Sequence, residues 1–88
     1  MTTTITGNVL REVARECIRQ ELKWGGPEHD DTHSRADWIN LIDERLAYPE
    51  EADECAEYRK DMIEIAALAI AAVESLDRKE HRHEQQPS

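Results

Sequence analysis

Apolar residues recur three and four positions apart along much of the chain. Val9, Leu10, Val13, Ala14, Cys17, Ile18 and Leu22 fall on one face of an amphipathic helix, with Arg11, Glu12, Arg15, Glu16, Arg19, Gln20 and Lys23 on the other. Asn8 offers an N-cap, and Gly25-Gly26-Pro27 stops the helix after Trp24. The pattern predicts a first helix over residues 8–24 behind a flexible N-terminus, 1–7. Residues 25–34, GGPEHDDTHS, are polar and read as a loop. Ser34-Arg-Ala-Asp37 then has the spacing of a capping box. It opens a second helix, 35–48, whose buried stripe is Trp38, Leu41, Ile42 and Leu46.

Pro49 suits the first turn of a third helix, where a missing N–H costs little. Glu50, Glu51, Asp53 and Glu54 follow at the positive end of its dipole. This helix is expected over 49–78, with a bend or break near Glu57–Lys60. Its second half, MIEIAALAIAAV, is apolar on nearly every face, which suits a helix with neighbours on several sides. The fold class is therefore all-α: a three-helix protomer that completes its bundle as a homo-oligomer, a dimer or larger. Residues 79–88 read as a disordered polar tail, where His81 and His83 stand two apart and point in different directions on a helix.

Composition supports the shared core. The 88 residues contain no Phe, and the aromatic side chains are Trp24, Trp38, Tyr48 and Tyr58. Core volume must come from aliphatics and Ala, which leaves a lone domain of this size marginal. The net charge of −9 opposes direct contact with nucleic acid or an anionic membrane, since phosphate neutralisation needs clustered Lys and Arg. It suits solvation, cation binding or docking on a basic protein. Met62–Val73 contains Glu64 and is too short for the about 20 apolar residues of a membrane span. Cys17 and Cys55 form no Cys-x-x-Cys pair, and the N-terminus lacks the basic start and apolar run of a signal peptide. Both thiols read as reduced, in a cytoplasmic protein.

Candidate ligand-binding residues cluster around the predicted loop. A base can stack on Trp24 while the Lys23 ammonium meets phosphate; alternatively, Trp24 closes the end of the bundle. His29, Asp30, Asp31 and His33 suit a transition metal or a phosphate-bound cation. Equally, the Asp residues can cap backbone N–H groups while His29 packs on Trp24. Trp38, Asn40 and Arg45 on the second helix complete the candidate ligand set. Arg11, Arg15 and Arg19 share a helix face, for phosphate contact or for pairing with local Glu residues.

Three segments taken together resemble the short phage-type members of the MazG-like all-α nucleoside triphosphate pyrophosphohydrolase group. They are Arg19-Gln-Glu-Leu-Lys-Trp-Gly25 with Glu28-His-Asp-Asp31, then Trp38-Ile-Asn-Leu-Ile-Asp-Glu44, then the run from Tyr58 to Asp77. The resemblance makes 8–78 the MazG-like domain. It implies an oligomeric bundle descended from a nucleotide-handling, magnesium-dependent fold, in a phage or prophage and acting in the host cytoplasm.

Such proteins hold magnesium and triphosphate with Glu-Glu-x-x-Glu on one helix and Glu-x-x-Asp on another, acids that share a face. Here Glu44 takes the first position, Arg45 the second and Tyr48 the third. A shift by one gives Asp43 and Glu44, with Ala47 third. Asp61-Met-Ile-Glu64 keeps two acids in swapped order. Glu44, Asp61 and Glu64 are thus the candidate metal ligands, with an arginine among them that favours ion pairing over a bound cation. The expectation is a nucleotide- or phosphate-binding oligomer with lost or weak catalysis, able in a phage to sequester a nucleotide signal of host defence. An active magnesium-dependent pyrophosphohydrolase and an acidic inhibitor of a basic host protein are the alternatives.

Overall fold

The computed structural model describes residues 2–46 and 55–85. These are almost entirely helical, and the described residues carry four helices: α1 (Thr2–Trp24), α2 (Gly26–Asp30), α3 (Arg35–Leu46) and α4 (Cys55–Gln85). The all-helical expectation holds, with one more helix than the hydrophobic pattern predicts. α1 starts at Thr2, so Asn8 lies inside the helix; its side chain accepts a bond from Arg11 Nη1 at 3.0 Å and does not cap an N-terminus. α4 runs without a break through Glu57–Lys60 and stays helical past Arg78 to Gln85. Tyr48, Pro49 and the acidic residues of 50–54 lie outside the described residues.

The turn between α1 and α3 follows from its two glycines and a proline. The Gly25 N–H closes α1 onto the Glu21 carbonyl at 2.9 Å. Gly25 and Gly26 both adopt left-handed conformations, with φ of 113° and 68°, which other residues reach only at a cost. At Gly25 a Cβ would also meet the His29 Cβ at 3.3 Å. Pro27 then opens α2, where its fixed φ suits a first turn. The 25–34 segment is therefore a compact helical turn in place of the expected loop. The predicted capping box forms: Asp37 N–H donates to Ser34 Oγ at 3.1 Å, and Ser34 N–H donates to Asp37 Oδ2 at 2.9 Å.

α4 is the central element. It packs against α1, α2 and α3, whereas the backbones of α1 and α3 do not approach each other. Val13, Trp38, Ala67 and Leu68 are the buried apolar side chains among those described. The first helix buries only part of its predicted face: Val13 is inside, but Leu10, Ile18 and Leu22 are exposed, Leu22 at 85%. On α4, Ile70 and Val73 are exposed as well. A radius of gyration of 15.4 Å, against about 12 Å for a compact domain of this length, describes the same open arrangement.

Candidate functional site

Because α1 and α3 stand apart on α4, a cavity of about 270 Å³ opens between them, with α2 at one end. Helical spacing decides what lines it. Cys17, Gln20, Glu21 and Trp24 come from one face of α1, and Trp38, Leu41 and Arg45 from one face of α3. Leu68, Ala71 and Glu74 are contributed by α4, and His29, Asp30 and His33 by the turn.

The aromatic side chains form a connected series. Trp24 and His29 stack with ring centroids 6.4 Å apart, His29 meets His33 edge-on at 4.9 Å, and His33 meets Trp38 at 4.7 Å. Trp38 is buried under α3 while Trp24 stays half exposed at the rim. Lys23 Nζ sits 4.9 Å from the Trp24 ring centroid, outside the cavity lining.

Asp30 and Asp31 are neighbours with opposite surroundings. Asp31 accepts hydrogen bonds from Ser75 Oγ at 2.8 Å and Arg78 Nη2 at 2.9 Å, and so ties α2 to α4. Asp31 is thus a structural clamp and does not line the cavity. Asp30 does line it, and its carboxylate accepts no hydrogen bond among the described residues. Burial pushes the Asp30 carboxyl above its ordinary range, although Arg78 pulls it back. Burial also pushes up the Cys17 thiol, with Glu74 and other acids adding to the effect, so the cysteine is held protonated. Cys17 is a free thiol whose Sγ lies 4.0 Å from the Ala67 carbonyl, and the Cys55 side chain lies outside the described residues.

A second polar network crosses the helices beside the cavity. Arg19 grips Glu16 through two bonds of 2.8 and 2.6 Å and reaches Glu64 Oε1 at 3.7 Å. The hydrogen bond from Arg19 holds Glu16 below the usual carboxylate range. Arg45 approaches Glu64 Oε2 from the other side, Nε to oxygen 3.6 Å, while its Nη1 donates to the Leu41 carbonyl at 3.0 Å. The Arg45 Nε is buried and has no hydrogen-bond acceptor among the described residues.

The candidate ligand residues thus separate. Trp24, His29, Asp30, Trp38 and Arg45 are brought together in the cavity. Asn40 and Glu44 lie on a shallower depression with Thr32, His33, Asp37 and Leu41. The candidate metal ligands do not gather. Glu64 sits between two arginines, Glu44 is exposed, and no group of three His, Cys, Asp or Glu side chains fit to hold a metal exists among the described residues. Among the described residues, then, no set of acids is placed to hold magnesium, and no chemical step is derived through it. Glu16, Glu21 and Glu74 were not singled out in the sequence; Glu21 shares its helix face with Cys17 and Trp24, but only the partner helices show what that face meets.

No protein-family model, no curated protein and no solved structure matches this chain. Among the described residues, no helix is long and apolar enough to cross a membrane.

Proposed function

We propose that the chain is a MazG-like ligand-binding protein that takes a nucleotide-type molecule in the α1–α3 cavity and has lost, or nearly lost, catalysis. The observation that carries this reading is the Arg45 guanidinium. It lines the cavity beside Trp24 and Trp38 and stands against Glu64, one of the acids that would otherwise serve a metal. A cavity with aromatic walls and a few polar groups is what a flat, polar small molecule requires. Arg19 and Arg45 supply fixed positive charge at the carboxylate where a magnesium-dependent enzyme would need a hydrated cation. With ion pairing in place of metal, binding remains and hydrolysis does not.

The protein acts as a homo-oligomer in this reading. Leu10, Ile18 and Leu22 of α1 and Ile70 and Val73 of α4 are too apolar to be left in water along two adjacent helices. A second copy laying its own helix pair on them completes a four-helix bundle.

The test is a thermal-shift screen with nucleotides, with and without magnesium, joined to an assay for pyrophosphate. A ligand that binds only the folded state raises Tm; at one hundred times its Kd the gain is about 2.7 kcal/mol. A rise that does not need magnesium, with no turnover, is expected. Magnesium-dependent pyrophosphate release that Glu64→Gln abolishes overturns the loss of catalysis.

A further inference from the structure

Resting on that ligand-binding reading, we infer that the cavity takes a nucleoside or nucleoside monophosphate with an amino-bearing base, and discriminates against the triphosphate. Size, the unmet Asp30 carboxylate and charge point the same way.

The cavity volume of about 270 Å³ lies just below the about 300–1,000 Å³ typical of small-molecule sites. That space suits a base and a sugar, with little left for a chain of phosphates. The walls are suited to the base: the Trp24–His29–His33–Trp38 series offers ring faces from α1, α2, the following turn and α3.

Asp30 is the lining residue left without a partner: its carboxylate accepts no hydrogen bond among the described residues. Arg45 Nε also donates none, but it is buried and faces Glu64 Oε2 at 3.6 Å, so it is not presented to the cavity. A ligand that completes Asp30 carries a donor edge, such as an exocyclic amino group. An adenine-, cytosine- or guanine-type base on a ribose or ribose phosphate has one.

The remaining charges limit how many phosphates follow. Glu21, Asp30 and Glu74 line the cavity against a single Arg45, in a chain of net charge −9. Arg78, which stands near Asp30, is committed to Asp31, and Lys23 lies outside the lining. Arg45, already paired with Glu64, can offset one phosphate at most. Each further phosphate adds negative charge to surroundings that already repel it.

The chain supplies its own reporter. Its two tryptophans both line this cavity, so a base stacking between its walls must quench tryptophan fluorescence. Adenosine, cytidine and guanosine are titrated beside their monophosphates and triphosphates, with purine riboside as an adenosine lacking the amino group. Nucleoside and monophosphate of at least one amino-bearing base are expected to bind, with the triphosphate at least about tenfold weaker. If adenosine binds, purine riboside is expected to be about tenfold weaker on the wild-type chain, with the difference reduced on Asp30→Asn. For cytidine or guanosine, Asp30→Asn is expected to weaken binding by a similar factor. A triphosphate that binds as tightly as its nucleoside overturns the inference and leaves the nucleotide-binding reading standing. An effect of Asp30→Asn below twofold overturns the role of the amino group. No response to any of these compounds overturns the ligand reading itself.

Discussion

The two ends of α4 are held by ion pairs of the same chemical kind in very different settings. Toward its C-terminal end, Ser75 and Arg78 converge on Asp31, and Lys79 Nζ donates to the His33 carbonyl at 3.0 Å. Ser75 is buried at 1% exposure, so this clamp is shielded on one side and fixes the turn that frames the cavity. Toward the N-terminal end, Arg59 holds Glu12 through two bonds of 2.7 and 2.6 Å, yet both side chains stand in solvent. The exposed pair has the shorter bonds. Distance alone therefore does not rank them; shielding from water and the number of groups that lose a partner do.

The comparison breaks most completely at Trp38, which is 8% exposed and underlies the clamped end. Trp38→Ala removes the largest buried side chain of α3 and is expected to cost about 3–5 kcal/mol. A chain of this size has a total stability of roughly 4–13 kcal/mol. Denaturant unfolding followed by circular dichroism is expected to show a large loss of midpoint or an unfolded variant. Asp31→Ala strikes the clamp itself, leaving Arg78 without its acceptor and Ser75 with only the Asp30 carbonyl at 3.5 Å, and is expected to cost about 1–2 kcal/mol because Arg78 is partly in water. Proteolysis near residues 25–34 should quicken with it. Ser34→Ala removes the cap of α3 and is expected to cost about 1 kcal/mol.

These sites were unequally legible in the sequence. The capping box at Ser34 and the stop after Trp24 are local devices, set by residues three or four apart, and both were readable. Trp38 announced itself by its place in a helical stripe. α2 did not, because five residues carry no periodicity and GGPEHDD has the composition of a loop. Most of the α1 stripe, from Val9 to Leu22, is exposed against expectation, since periodicity identifies an apolar face and not what covers it. The cavity needed three helices to be placed. Trp24, Asp30 and Arg45 were recognisable as candidates, but nothing local separates Asp30, left without a donor, from Asp31, which is fully engaged.

That pair of neighbours gives a smaller prediction with a definite sign. Burial raises the Asp30 carboxyl, so the folded state resists its ionisation. The resulting destabilisation is fully present above the raised pKa. It disappears as pH falls through that value and below the ordinary pKa of the unfolded chain. Asp30→Asn is therefore expected to raise Tm modestly at neutral pH and not at all in acid, while weakening the ligand. A lower Tm at neutral pH would show that the carboxylate is structural, like Asp31.

The smallest effect belongs to the exposed pair. The Arg59 hydrogen bond, followed by its charge, holds Glu12 below the ordinary carboxylate range. The sign is that of a stabilising pair: its contribution is present above the unfolded pKa and lost as pH falls through the folded one. Exposure removes most of that contribution, because water screens both groups and two long side chains must be ordered to meet. Arg59→Ala is expected to leave Tm within error at neutral pH, in low and high salt, and to leave the acid limb of the Tm profile unchanged. Asp31→Ala measured beside it is expected to lower Tm clearly under the same conditions, because its bonds to Ser75 and Arg78 are partly shielded from water. If the two variants were to lose the same stability, shielding by the α2 turn would not be what separates the ends of α4, and bond geometry would have to be.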